Sequence, residues 1–296
     1  MNCRLCTGQT KFFLTKDGFN LWRCLECGVV FVDPLPSDDF LRQSVYQSGV
    51  YQKNKEQNLA KQLPNLKTKI TLTKLNQLTA NKKLLDVGSS NGQFMYHAKQ
   101  AGFEVSGVEL NAGTAQIAQA NGLEVFIGTL VEANLPNTSY DIVTLNDVIE
   151  HVPDPVGLIK EGERLLKNGG LLTVGTPNLN CLFNKLTWQL WCLFGISWSA
   201  VTPPHHLYQF SAKSLNRLMA QNGFKLVKMI FLPTSSLRYE LGVTKLKSSF
   251  KQDSSLKFFL RFSGGYLVYI TFYSFSKIWV MMGGQDNGLI AFYRKM

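Results

Sequence analysis

From Lys83 to the C-terminus, short apolar runs alternate with stretches whose apolar residues return every three or four positions. Strand-period and helix-period segments in succession predict an α/β fold with a doubly wound sheet. The expected strands are 84–87 (LLDV), 104–110 (EVSGVEL), 123–128 (LEVFIG), 141–147 (DIVTLND), 169–176 (GGLLTVGT), 224–232 (FKLVKMIFL) and 289–295 (LIAFYRK). The expected helices open at Gly92, cover 112–120, run from about Pro155 to Lys167, and span 212–222, where Asn222-Gly223 supplies a stop.

Ahead of this alternation lie two strand-like runs, 11–14 (KFFL) and 28–32 (GVVFV), and then Asp33-Pro34-Leu35-Pro36, a pattern breaker that marks a module boundary. Residues 53–80 read as helical with Pro64 dividing two helices; Leu66, Ile70, Leu72, Leu75 and Leu78 follow helical spacing. Two stretches exceed a minimal sheet. One is 181–204, with Trp188, Trp191 and Trp198, which fits either an aromatic substrate lid or a core stripe. The other is 235–287, whose part from Tyr266 to Met282 is uncharged except for Lys277. That part falls at the short limit of a membrane span, and its Tyr, Ser and Thr content favours a buried or interfacial helix.

A 45% hydrophobic, 17% charged composition is that of a globular chain with a sizeable core. Four of six cysteines sit in tight pairs, while Cys181 and Cys192 read as buried thiols in an apolar stretch. With no apolar run after Met1, the expected compartment is a reducing cytoplasm. The net charge of +11 is uneven. Acids dominate 84–180, whereas bases dominate 51–83 and 181–296. Basic flanks attract anionic partners or are simply solvated lysine surface.

The turn LLDVGSSNGQF (84–94) carries the most chemistry. A strand ends at Asp86-Val87-Gly88, the loop is Ser89-Ser90-Asn91, and Gly92 opens a helix, so backbone N–H groups point at a closely approaching ligand. Glu109 ends the next strand, where an acid binds ribose hydroxyls. A nicotinamide dehydrogenase needs G-x-G-x-x-G, and only Gly88 and Gly92 are present. An acid before the loop also suits a cationic cofactor better than a pyrophosphate.

These segments, with SGVELN (106–111), SYDIVTLNDVIEHVPDP (139–155) and GGLLTVGTPN (169–178), resemble the ordered motifs of class I S-adenosylmethionine-dependent methyltransferases over 80–232. The resemblance implies a seven-stranded sheet with an antiparallel last strand. It places Asp86, Gly88, Ser90 and Gly92 around the methionine part of the cofactor, Glu109 at the ribose, Thr129 and Leu130 beside the adenine, and Asn146 and Asp147 on the methyl-donor side. Ser90 replaces the family's usual middle glycine, so its backbone is expected to avoid conformations only glycine tolerates.

Cys3-x-x-Cys6 and Cys24-x-x-Cys27 have zinc spacing. Four thiolates close a tetrahedral shell, which makes the metal structural, and so short a segment needs it to fold. CRLC (3–6), WRCLECGVVFVDP (22–34) and HHLYQFSAKSLNRLMAQNGF (205–224) resemble methyltransferases with an N-terminal zinc-binding hairpin. That subgroup implies a small-molecule or glycan substrate. The chain then divides into a zinc-ribbon hairpin module at 1–36, a helical linker at 37–82 and a methyltransferase domain at 83–296, with a lid insertion at 181–206 and a C-terminal insertion at 235–287.

His97 reads as a packed or surface residue. His206, or His151, is the expected general base for O-methylation, against a purely structural role for each. RNA methylation lacks a base-clamping signature after the fourth strand, where the chain has LNDVIEHV. A non-catalytic binding protein sits poorly with the acids Asp86 and Glu109. The basic C-terminal region suits peripheral contact with a membrane that carries a lipid-linked substrate.

Overall fold

The computed structural model describes residues 1–41, 43, 58–182, 184, 185, 188, 189, 192, 200–232, 271 and 274–296. They form two compact units, one of Met1–Thr176, Pro203–Ile230 and Ile290–Met296, the other of Pro177–Thr202 and Phe231–Leu289.

The N-terminal strands are β1 (Thr10–Lys16), β2 (Phe19–Cys24) and β3 (Val30–Val32). Only two runs were expected here, and β2 is the addition. Asp17 and Gly18 both take positive φ, which makes the two-residue hairpin turn that pairs Lys16 with Phe19. The Asp-Gly pair was the sequence signal for it. The short β9 (Tyr208–Gln209) completes a four-stranded sheet in the order β1-β2-β3-β9.

The larger sheet contains β4 (Lys83–Val87), β5 (Glu104–Glu109), β6 (Glu124–Ile127), β7 (Tyr140–Asn146), β8 (Leu166–Pro177), β10 (Phe224–Leu232) and β11 (Gly288–Lys295). Their order is β10-β11-β8-β7-β4-β5-β6, with β4 to β8 parallel and the last strands antiparallel. Parallel strands are covered on both faces, and accordingly the first six residues of β7 and Leu84–Val87 of β4 are buried.

The helices that alternate with these strands are α1 (Leu66–Leu78), α2 (Gln93–Gln100), α3 (Ala112–Ala120), α4 (Pro155–Leu165) and α5 (Ala212–Gln221). Each start has a local cause. Asn65, Asn111 and Asp154 accept N–H bonds from Thr68, Thr114 and Gly157, and Pro155 occupies the first turn of α4. Ser211 and Ser214 form a reciprocal capping box for α5. Helix α4 ends at Leu165, two residues before the expected Lys167, because Leu166 turns extended and pairs with Tyr140 at the start of β8.

Pro64 separates α1 from a 3-10 turn at Leu59–Lys61, and residues 53–57 lie outside the described set. Leu59 is fully buried among Met95, Ala115, Ala118, Leu123 and Val125. Burial of one such leucine contributes roughly 2 kcal/mol. Cys181 is buried but Cys192 is exposed, contrary to expectation, since an apolar composition does not decide which side chain faces outward. Trp188 is half-buried, while Trp191, Trp198 and most of 235–273 fall outside the described residues. No helix among the described residues is long and apolar enough to cross a membrane.

Candidate active site

Strands β4, β5, β6 and β7 are parallel, so their C-terminal ends share one edge of the sheet, and the turns there carry the predicted cofactor residues. Gly88 and Gly92 sit at φ +72 and +82. A Cβ on Gly88 would meet Val148 Cγ2 at 2.5 Å, and one on Gly92 would meet Leu123 Cδ1 at 2.5 Å. Both glycines are therefore required by packing as well as by conformation. Ser90 takes φ +50, in the left-handed region that its expected avoidance excluded. Its N–H donates to Glu109 Oε2 at 2.7 Å, and this bond holds the strained residue in place.

Glu109 thus fixes the loop on its own account. Oε1 accepts from Asn111 N at 2.7 Å, and burial pushes its carboxyl above the ordinary value while the N–H donors pull it back. Two oxygens with two protein bonds leave acceptor capacity for a ligand hydroxyl. Thr129 N–H and Oγ1–H both donate to Glu132 Oε2, at 2.7 and 2.8 Å, closing the turn after β6, where Leu130 is buried.

Asp86 is 2% exposed and accepts from Thr144 Oγ1 at 2.6 Å. Burial first, and then the charge of Glu109, pushes it up to about 7, against the opposing pull of Thr144, Asn146 and Lys67. A buried acid so poised favours a cationic neighbour. Asn146 Oδ1 is buried without a hydrogen-bond partner among the described residues, 3.2 Å from where a Cβ on Gly175 would lie. Asp147 takes φ +55, as a short polar side chain tolerates, and pairs with Lys67 Nζ at 2.7 Å.

Lys67 was not foreseen. It enters from the first turn of α1 and passes Gly175, where a Cβ would lie 2.5 Å from its Cε. Nothing in the local sequence marks this approach across α1 and β8.

Glu150 and His151, just after β7, and His206, just before β9, form a second cluster. Glu150 is 1% exposed, and its Oε2 accepts from Thr176 Oγ1 at 2.9 Å. Burial and then Asp147 push its carboxyl up to about 8. His151 Nδ1 donates to the His205 carbonyl at 2.5 Å, which leaves Nε2 as the lone-pair nitrogen, 3.9 Å from Glu150 Oε1. The His151 and His206 rings meet edge to face, centroids 4.8 Å apart. Burial and then His151 lower His206 to about 3, and burial lowers His151 as well. His97 lies on α2 with a lowered value, also from burial. Glu150, the third member of the cluster, was visible only as the residue before His151.

The four paired cysteines also converge, every sulfur within 4.8 Å of the others. Cys3 and Cys27 are 3.8 Å apart and Cys6 and Cys24 3.5 Å apart, while Leu5 N–H and Cys27 N–H point to the Cys3 and Cys24 sulfurs. Cys24 ends β2 of the small sheet and the other three cysteines lie outside its strands, whereas the expected cofactor residues lie at the edge of the large sheet.

A sheet of this order, with an acid-flanked glycine turn at its C-terminal edge, defines a class I S-adenosylmethionine-dependent methyltransferase architecture. The chain belongs to the methyltransferase domain family, which matches residues 51–229. It is 33% identical over 127 residues to the ubiquinone biosynthesis O-methyltransferase of Vibrio cholerae serotype O1, covering 40% of this chain and 51% of that one. The corresponding protein of Pectobacterium atrosepticum is 34% identical over 106 residues, 33% of this chain and 44% of that one. The chain spans about half the length of these curated relatives. Among solved structures, the SpnF cyclase superposes with a TM-score of 0.51 at 17% identity, covering 77% of this chain and 80% of that one. Such a likeness speaks to the fold, and a cyclase on it illustrates why the reaction must be argued from the site.

Proposed function

We propose that the protein transfers a methyl group from S-adenosylmethionine to a hydroxyl of a small biosynthetic intermediate. The observation that carries the reading is Asp86, a buried carboxylate beside a glycine turn and beside the orphaned Oδ1 of Asn146. An anionic, closely approachable pocket fits a ligand with an amino group and a sulfonium. In this reading the N–H groups of the 88–92 turn and Asp86 hold the methionine part, Glu109 takes the ribose, the Thr129–Leu130 turn borders the adenine, and Asn146 and Asp147 flank the donor side. The cofactor supplies a methyl activated by positive sulfur, so the protein's work is alignment and charge.

The relatives' reaction, O-methylation in ubiquinone biosynthesis, supports oxygen as the acceptor atom. Nε2 of His151 is the better proton acceptor, because His206, lowered to about 3, is a weak base near neutral pH. The four cysteines hold a structural zinc. A tetrahedral shell with sulfurs about 2.3 Å from the ion places them about 3.8 Å apart, close to the spacings observed here. Such a module supports membership of the subgroup with an N-terminal zinc-binding hairpin. Phe275, Ile278, Met281 and Met282 are exposed on the last turns before Gly283, which supports peripheral contact with a lipid surface and an acceptor held there.

The test is calorimetry with S-adenosylhomocysteine, followed by transfer of labelled methyl to a panel of phenolic and sugar hydroxyl acceptors. Binding that is lost in Asp86→Asn, with oxygen-linked product, supports the reading; absence of cofactor binding ends it.

A further inference from the structure

The geometry points to Lys67 as the residue that receives the acceptor's oxygen as its anion, which makes the acceptor an acidic hydroxyl and not an aliphatic alcohol. The inference deepens the methyl-transfer reading above and rests on it. It begins with where the ammonium lies. Asn146, the last residue of β7, pairs with Gly175 of β8, and Asp147 N–H donates to the Gly175 carbonyl at 2.7 Å. A Cβ built on Gly175 would stand 2.5 Å from Lys67 Cε, 2.7 Å from its Nζ and 3.2 Å from Asn146 Oδ1. The bare backbone of Gly175 is what lets a lysine of α1 run across this strand. Its ammonium thereby reaches the two residues expected on the methyl-donor side.

That ammonium has donors to spare. It carries three N–H donors and no acceptor, and among the described residues its one ion pair is with Asp147 Oδ2 at 2.7 Å. Asp147 is the more exposed partner, 57% against 24% for Lys67, so solvent weakens its hold. Asn146 Oδ1, buried and without a hydrogen-bond partner among the described residues, supplies an acceptor beside the same glycine. A hydroxyl needs both, an acceptor for its proton and a donor for its oxygen. The acids that face the ammonium are Asp147 and Glu150 after β7 and Asp86 in β4, and its charge pulls Asp86 and Glu150 down against burial. An amino group on Asp86 and a sulfonium would add positive charge here, and an acceptor oxyanion restores the balance.

The step balances. The hydroxyl gives up its proton, by way of the base, to water. The oxygen's electron pair forms the new O–CH3 bond while the S–CH3 bond breaks with its pair on sulfur, leaving a neutral ether and a neutral thioether. An adjacent cation lowers the ionisation of a hydroxyl. A phenol, ordinarily near about 10, or an enol comes within reach of neutral pH in this way, whereas an aliphatic alcohol starts far higher.

4-Nitrophenol is the probe, because its anion is yellow and its neutral form is not. The zinc-loaded full chain is saturated with S-adenosylhomocysteine, which has no sulfonium charge, and absorption of the bound probe is followed against pH. In the wild-type chain the probe should ionise at least about one pH unit below its value in free solution, a tenfold shift. Lys67→Met should abolish that lowering while S-adenosylhomocysteine affinity at pH 8 stays within about threefold, which establishes that the variant is folded. A misfolded variant is replaced by Lys67→Gln. A probe that does not bind, that ionises as in free solution, or that ionises alike in both chains would overturn the assignment and leave Lys67 a countercharge for Asp86 and Glu150. Failure of the methyl-transfer reading shows separately, as absent S-adenosylhomocysteine binding in the wild-type chain, and ends both.

Discussion

Val32 N–H donates to the carbonyl of Leu207 at 2.9 Å, so the third strand of the cysteine module is hydrogen-bonded to the residue directly after His206. Leu207 N–H in turn donates to Glu150 O at 2.8 Å, and Phe31 stacks on Tyr208 with centroids 6.2 Å apart. Residues from three distant parts of the sequence are thereby braced at one place. The module's strands belong to the small sheet and not to the sheet that carries the proposed cofactor edge, yet the module is built into the support of the histidine cluster.

The consequence concerns metal removal. Cys27→Ser, or extraction of zinc from the cysteines by a thiol-selective chelator, should lower methyl-transfer turnover at least tenfold. S-adenosylhomocysteine affinity should stay within about threefold, because the glycine turn and Glu109 belong to the other sheet. Calorimetry beside single-turnover kinetics reads both. A parallel loss of affinity and turnover would show that the module supports the whole fold and not the histidine loop.

The second prediction is a pH dependence set by Asp86. Its folded value near 7 is raised from the ordinary 3.8, so the folded chain holds this proton more tightly than the unfolded one. The associated stability is present below the unfolded value and is lost as pH rises through about 7. Ligand binding runs the other way, because the ammonium group of the ligand needs the ionised acid. Affinity for S-adenosylhomocysteine should fall about tenfold from pH 8 to pH 6. Asp86→Asn should abolish that dependence, reduce affinity at least a hundredfold, and raise the unfolding midpoint at pH 8. A midpoint lowered at pH 8 would contradict the assigned cost of the buried charge.

Lys67 gives a third, linked prediction. Its charge lowers Asp86 and Glu150 while it pairs with Asp147 at 2.7 Å. In Lys67→Met the pull on Asp86 disappears, so the midpoint of the affinity–pH curve should move upward from the wild-type position. A downward or absent shift, read by the same calorimetry, would mean that solvent screens Lys67 from the pocket.

Much of the sheet was legible because β4 to β7 are short apolar runs closed by Gly, Asn or Asp, and four of the helices begin at residues that cap. The loop at 84–94 was legible because it joins three local signals: a buried strand, two glycines and an acid. The second strand of the cysteine module escaped although Asp17-Gly18 signalled it, because FNLWRC mixes polar and apolar residues without a strong run. Lys67, Thr144 and Thr176 were out of reach for a different reason. Their partners Asp147, Asp86 and Glu150 lie 80, 58 and 26 residues away, and only the stacking of parallel strands and the packing of α1 bring them together. Ser90 shows the limit of a propensity rule. A bond from its own N–H to Glu109 outweighs a left-handed cost of about 1–2 kcal/mol.

That comparison yields the last prediction, on two neighbouring positions of the same turn. Ser90 at φ +50 and Gly92 at φ +82 share a left-handed backbone but differ in what surrounds them. Ser90→Gly removes the conformational cost and adds unfolded-state entropy of similar size, so stability should change by less than about 1 kcal/mol. Cofactor affinity should be retained, since the N–H to Glu109 remains. Gly92→Ala places a methyl 2.5 Å from Leu123 Cδ1 and 2.7 Å from Ala118 Cβ, at a φ that alanine resists. Strain and overpacking together should cost about 2–4 kcal/mol. Urea unfolding of the two variants reads the contrast directly. Equal stability would mean that the start of α2 shifts away from α3 without loss, and the close approach of the glycine turn to its ligand would then need another explanation than packing at Gly92.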